Sequence, residues 1–465
     1  MRKQRRIFRP RLDQLDDRCL LSGYNVAQVT NGYGLDSIAF QSGSGAIIPG
    51  NGAGETIALI EAYHDPSLAA DLHVFDQANH LADPNLTVVN QAGAKTNSTW
   101  ASEESLDVEW AHAIAPGADI LVVEARSQAL TDLLSAVDTA RSSPGVVAIS
   151  MSWGFSEMAG EASYDTHFTT PAGHAGITFV AASGDNGLRA GAEYPAASPD
   201  VLAVGGTTLN LGDAGNYLSE TAWQDSGGGY SLYEPEPGYQ DAIQSTGYRS
   251  TSDVAFDGNP NTGVTVYETP PHGGAGAWQT VGGTSLGTPA WAAIIAIVDQ
   301  GRALAGKGSL DGPTQTLPAL YSLPSTDFHV VGTPPPQSPW GGGVNPFGFL
   351  SLGGTFLRHH SRKTTGPATG STSGSGAKLA TGLGSPNAPA LVADLVASYL
   401  TIPLTTTSNG GASIAPTKPM GKGSKRHRSV RLRVAARLTA DNIHEEVSRG
   451  DSLNGSPRST GLPPT

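Results

Sequence analysis

Between Tyr24 and about Ile402, short runs rich in β-branched residues alternate with helix-periodic segments, and no other feature constrains the fold as strongly. Strands buried on both faces and linked by helices return to one sheet in parallel. The runs Thr56–Tyr63, Asp119–Ala125, Val146–Trp153, Ile177–Ser183 and Val201–Thr208 read as strands. Helical patterns cover Ser67–His80, Glu103–Ala115, Leu130–Arg141, a segment after Ser285, and Ala388–Leu400. The expected class is therefore α/β, a mostly parallel sheet flanked by helices on both faces.

Residues 334–377 interrupt this pattern with a Pro/Gly/Ser-rich insertion, including PPPQSPWGGG and TGSTSGSGA, whose composition reads as a mobile loop. One domain over residues 23–402 is expected, with a basic leader (1–22) before it and a polar, basic, disordered tail (403–465) after it. The leader carries seven Lys/Arg and three Asp/Glu, and residues 401–465 carry ten and four. The chain's net charge of −13 thus hides a central region near −23, with 11 basic against 34 acidic residues. Such a surface repels nucleic acid and anionic membranes. The basic tail is expected, in a functional reading, to adhere to an acidic surface. Cys19 stands alone, so neither an internal disulfide nor a thiolate metal cage is available. The longest apolar run, Ala290 to Val298, is about half the ~20 residues that span a bilayer.

Three features carry chemistry. On a helical wheel of ~100° per residue, Glu103 and Asp107 share an arc with Leu106, Trp110, Ala113 and Ile114, whereas Glu104 and Glu109 fall at its edges or outside. Two inward carboxylates one turn apart repel unless they share a proton, which raises one pKa. A structural ion-pair or amide cap would make the same pattern inert. In GGTSLGTP, Ser285 stands at the start of an apolar helix, where free amides favour developing negative charge; an ordinary N-cap serine reads identically. Pro289 is expected to be tolerated within that helix's first turn. In ITFVAASGDNG, a strand breaks at glycine and presents Asp185 beyond its carboxyl end, where ligands of parallel sheets collect, though turn aspartates are common.

In their order along the chain, ExxxD, the strand-end Asp and GTSxxxP, together with TIALIEAYHDPSLAADL, HAIAPGADILVVEA, YPAASPDVLAVGGTTL, SDVAFDGNPNTG and TGLGSPN, resemble the sedolisin family of serine-carboxyl peptidases. The resemblance spans roughly Tyr24 to Ile402 and implies a subtilisin-like fold and an acid-acting serine-type endopeptidase. It implies Ser285 as nucleophile, Glu103 as general base, Asp107 as the acid holding Glu103, and Asp185 in the oxyanion hole. Glu61 and Trp153 match positions that form a hydrogen-bonded layer behind the acid pair in some relatives. Asp185 would donate to an oxyanion only while protonated, so activity is expected to fade as pH rises through its pKa. The partner is a peptide or protein substrate.

The chain departs from that family in two places. At the calcium segments it has Val330 in FHVVGT and Lys378 in GAKLATGLG, so no calcium, and no other cofactor, is expected. A short leader precedes Tyr24 where a large prodomain is usual. Those departures support the competing expectation of a noncatalytic cell-surface binding protein that retains the peptidase fold. The leader resembles the R-x-LxxLxxRxLLS segments of bacterial extracellular and surface proteins, which implies an extracellular or cell-surface location. Gly283–Gly287 also matches the GxSxG elbow, but the region after it offers helix and loop instead of strands bearing an acid and a histidine. For a Ser-His-Asp site, His112 points away from Glu103, and His64 belongs to a surface loop. Gly50, Gly52 and Gly54 precede a strand, so they make no dinucleotide fingerprint.

Overall fold

The computed structural model describes residues 23–91, 93–333, 350–351 and 375–398. The leader, the tail and nearly all of the expected insertion lie outside the described residues.

Nine strands form the central sheet of the described residues: β1 (Thr56–Ala62), β2 (Leu86–Asn90), β3 (Asp119–Ala125), β4 (Val146–Met151), β5 (Thr178–Ala182), β6 (Val201–Leu211), β7 (Tyr217–Ala222), β8 (Val254–Asp257) and β9 (Val331–Gly332). Their order is β9-β7-β6-β5-β4-β1-β3-β2, with β8 also pairing to β6. Every pairing is parallel except β6 with β7. The five expected strands are present, β3 with the expected ends and the other four with shifted ones. The run through Trp153 splits, because β4 stops at Met151 and a separate strand, Trp153–Ser156, leaves the sheet. The edge strand β2 escaped prediction because LTVVN is too brief for a pattern and only partly covered.

Helices α1 (Val26–Tyr33), α2 (Leu68–Asn79), α3 (Ser98–Ile114), α4 (Leu130–Arg141), α5 (Thr284–Leu304) and α6 (Ala388–Ala397) surround the sheet. Strand alternation divides the core in two. Ile57, Leu59, Ile120 and Val122 face the α3/α5 side, and Ala58, Ile60, Leu121 and Val123 face the α4 side. By the same period, Glu61 and Glu124 point toward α3; they are direct partners in the β1–β3 register.

Helix α3 begins five residues before the expected Glu103, since the Asn97 side chain accepts from Thr99 N–H (3.0 Å) and Trp100 N–H (3.2 Å). It is buried almost all round, packed by α5, α2, β1 and the strand Val264–Glu268. This overturns the wheel's outward placement of Glu104 and Glu109, which are 0% and 1% exposed. An apolar arc identifies one buried face, but it cannot exclude others where polar groups are covered by further elements. Helix α5 is buried from Thr284 to Arg302, and its middle, Ala290–Val298, is apolar all round because the sheet, α3 and α6 enclose it. Its Trp291 is fully buried and donates its indole N–H to the Ala255 carbonyl at 2.9 Å.

Candidate active site

Ser285 lies at the second position of α5, behind an N-cap formed by Gly283. The cap reading of Ser285 is thereby overturned: its hydroxyl caps no backbone amide and is buried on the side of Glu103. The orphan amide at the helix start is instead taken by Asp185. Thr284 N–H and Thr284 Oγ1 both donate to Asp185 Oδ1 at 2.8 Å, while Gly184 N–H donates to Thr284 Oγ1 at 3.2 Å. A loop beyond β5 is thus fastened to the start of α5, bringing Asp185 beside the serine. The approach requires glycine at 283. Its φ is +118°, and a Cβ there would stand 2.7 Å from Asp185 Oδ2.

Pro289 sits in the second turn of α5, past the first turn expected for it. It has no N–H to give to the carbonyl four residues earlier, which is that of Ser285. Ser152 lies 3.3 Å from that carbonyl oxygen and can donate to it. The same hydroxyl lies 3.0 Å from Asp107 Oδ1. Ser152 was not singled out in the sequence, although it lies in ISMSW directly before Trp153; the available signal was its position at the carboxyl end of a central strand.

Glu103 and Asp107 both face the serine side, as their phase on α3 required. Glu103 is 8% exposed and Asp107 fully buried. Burial raises the Glu103 pKa well above the carboxylate range, the Asp107 charge and, less, that of Asp185 push the same way, and the neighbouring Ser285 hydroxyl opposes them as a donor would. Asp107 is pushed up to about 7 by burial, against hydrogen bonding from Ser152 and Glu61. Glu61 is raised furthest by its own burial and next by Asp107, with which it forms an acid–acid hydrogen bond. Such a contact requires a proton between the carboxyls. Glu61 thus lies in contact with the acid pair through Asp107, whose other partner, Ser152, also reaches the Ser285 carbonyl. Trp153 does not join it: its indole N–H donates to the Ile60 carbonyl at 3.1 Å. The fixed direction of that N–H meets the strand backbone instead of the carboxyl one residue on.

The constellation Ser285, Glu103, Asp107, Glu61 and Asp185 is therefore assembled from α5, α3, β1 and the loop after β5. It offers an alcohol next to buried carboxyls whose pKa values are raised, with a carboxyl opposite at a helix N-terminus. Such groups suit proton removal from the alcohol and stabilisation of negative charge on a substrate oxygen. His112 is distant in function: its Nε2 contacts the Ala82 carbonyl at 3.0 Å and Asp76 Oδ1 at 3.4 Å, on the α2 side.

At the segments compared for calcium, Val330 is 88% exposed between the short strand Phe328–His329 and β9, and Lys378 is exposed in the helix Ser375–Thr381. Among the described residues no group of three or more His, Cys, Asp or Glu is arranged for a metal ion. A side chain without oxygen and an ammonium do not fit a cation that needs anionic oxygens.

A subtilase family model matches residues 87–307. Sedolisin of Pseudomonas sp. (strain 101) is 30% identical over 312 residues, which cover 59% of this chain and 51% of that protein. Kumamolisin of Bacillus sp. (strain MN-32) is 33% identical over 318 residues, covering 60% of this chain and 54% of the relative. The chain thus spans about half the length of the curated relatives it matches. The solved structure of Pseudomonas sedolisin, a serine-carboxyl proteinase complexed with two molecules of pseudo-iodotyrostatin, aligns with a TM-score of 0.60 at 26% identity, over 81% of this chain and 98% of that one. Likeness runs from the order of the motifs to the path of the backbone: the chain is similar to sedolisin-family peptidases and has a subtilisin-like fold.

Proposed function

We propose that the protein is an acid-acting serine-carboxyl endopeptidase that hydrolyses peptide bonds through an acyl-enzyme at Ser285. The observation that carries this reading is a buried serine hydroxyl set beside Glu103, whose buried carboxyl is raised by its own burial and by Asp107 and lowered by hydrogen bonding from that hydroxyl. Glu103 takes the hydroxyl proton as Ser285 Oγ attacks the scissile carbonyl carbon, and returns it to the leaving amine. Water then enters by the reverse proton path and releases the acid product. Asp107, with Glu61 behind it, keeps the proton inventory that leaves Glu103 basic. Asp185, in its protonated form, donates to the oxygen that becomes negative in the tetrahedral intermediate.

The substrate is an accessible peptide or unfolded protein, and the site of action is outside the cell. No helix among the described residues is long and apolar enough to cross a membrane. The enzyme works without calcium at Val330 and Lys378, so calorimetry is expected to detect no tight stoichiometric calcium binding.

Digestion of an unfolded protein between about pH 3 and 5 tests the reading, since a carboxyl base and a protonated Asp185 coexist in acid. Wild-type protein is expected to cleave, with activity fading toward alkaline pH, and Ser285→Ala to be inactive. Internal fragments among the mapped products support endo-cleavage; short pieces released only from one terminus would replace it with an exopeptidase. Equal, negligible digestion by both proteins would leave the fold serving as a binding protein.

A further inference from the structure

The acid network continues past the residues that the proposed chemistry uses. Glu124 of β3 is the register partner of Glu61 on β1, and both side chains point toward α3. From α3, Glu104 comes down beside them and makes an acid–acid hydrogen bond with Glu124. Neither Glu104 oxygen has any other donor, although the residue is fully buried. Glu124 in turn holds His64, whose Nδ1 is 2.7 Å from Oε1 and 2.8 Å from Oε2. The His64 side chain is 35% exposed while Glu124 is 0% exposed, so the network reaches solvent at His64. The expected surface-loop position of His64 is thus half right: it lies past the end of β1 but is tied inward.

The other groups facing this arm are acidic. Asp65 acts on Glu104, and Asp71 and Glu268 act on Asp65. From the segment before α3, the backbone carbonyl of Lys95 accepts from His64 N–H at 2.9 Å. His64 is the cation that bears on Glu124, and no cation bears on Glu61, Glu103, Glu104 or Asp107 with comparable strength.

We propose that Glu104, Glu124 and His64 are positioning residues that carry the charge of a surface imidazole inward to the Glu103–Asp107 pair. Protonated His64 offsets one negative charge of the network, so an ionised Glu103 is easier to form in acid, where the base is required. This inference rests on the peptidase reading for its kinetic consequence but not for its electrostatic one.

Two measurements on the full chain separate these. In the pH profile of kcat/KM with an unfolded protein substrate, His64→Gln is expected to move the acid limb upward by on the order of half a pH unit or more. His64→Lys, which keeps the positive charge, is expected to return it toward wild type, and Glu124→Gln to move it downward. A merely structural role would lower all rates without opposite shifts, and coincident limbs in the three variants would overturn the proposal. Independently of catalysis, NMR titration of the His64 ring in Ser285→Ala is expected to give a midpoint that falls by about 0.3 unit or more when Asp107→Asn is added. An unchanged midpoint sinks the proposal even in an active enzyme. Absence of hydrolysis by wild type together with a shifted midpoint sinks only the peptidase reading.

Discussion

Ser152 reaches both Asp107 and Ser285 with one hydroxyl, at 3.0 Å from the carboxyl oxygen and 3.3 Å from the main-chain carbonyl. It has a single proton to donate. While Asp107 is ionised, the proton belongs on Asp107; once Asp107 is protonated it can donate to Ser152, which then turns its own proton to the Ser285 carbonyl that Pro289 leaves unpaired. The protonation of the acid pair is thereby coupled to the anchoring of the nucleophile's backbone. Ser152→Ala removes a donor that holds the Asp107 pKa down, so that value rises further. The expected outcome is a loss of about ten-fold or more in kcat, with the acid limb displaced upward, as measured by initial rates across pH.

Gly283→Ala places a methyl group where Asp185 now stands and puts alanine at a φ of +118°. The carboxyl must retreat from Thr284. Stability is expected to drop by roughly 1–3 kcal/mol in urea denaturation. Activity is expected to fall by about a hundred-fold, as for loss of one oxyanion donor. Retention of full activity would remove Asp185 from the mechanism.

Stability should fall as pH rises through neutrality. Asp107, Glu193 and Glu234 are pushed up to about 7 and Glu161 to about 8, in each case mainly by burial. The folded chain therefore holds protons that the unfolded chain releases near pH ~4. Because these folded pKa values are raised, their contribution is complete below the unfolded values, near pH ~4, and is lost progressively until it is gone above about pH 7 to 8. His112 and His329, whose pKa values burial lowers, act in the opposite sense but are outnumbered. Calorimetric scans are expected to give a higher Tm near pH 5 than near pH 8; the reverse order would contradict these assignments.

Away from the site, Arg249 and Asp253 form a fully buried, two-pronged pair, with Nη1–Oδ1 at 2.6 Å and Nη2–Oδ2 at 2.5 Å. Asp253 Oδ2 also accepts from Ala203 N–H at 2.7 Å, which ties the pair to β6. Arg249→Ala leaves that carboxylate buried without its cation and is expected to cost about 3–5 kcal/mol. Asp253→Asn in the same background should recover part of the loss, a cycle that denaturation curves can resolve.

The order of strands and helices was legible in the sequence because strand alternation and helical period are local, and α4 and β3 match their expected ranges residue for residue. So was the pairing of Glu103 with Asp107, since a spacing of four residues fixes a shared face once the helix forms. The match of several motifs in order carried the resemblance to sedolisins for the same reason: each is a short stretch whose spacing survives any tertiary arrangement.

Only the tertiary structure decided which long-range neighbours these groups acquired. The register between β1 and β3, strands joined by long crossovers, sets Glu61 opposite Glu124, and no local rule fixes the register of such a pair. Coverage by α2, α5 and the Val264–Glu268 strand buried Glu104 and Glu109 on faces that the wheel had left outside. Likewise, Asp185 captures the α5 amide from 99 residues away, and Ser152 reaches Ser285 across 133. A sequence specifies the directions in which its side chains leave each element, whereas what meets them depends on how distant segments pack.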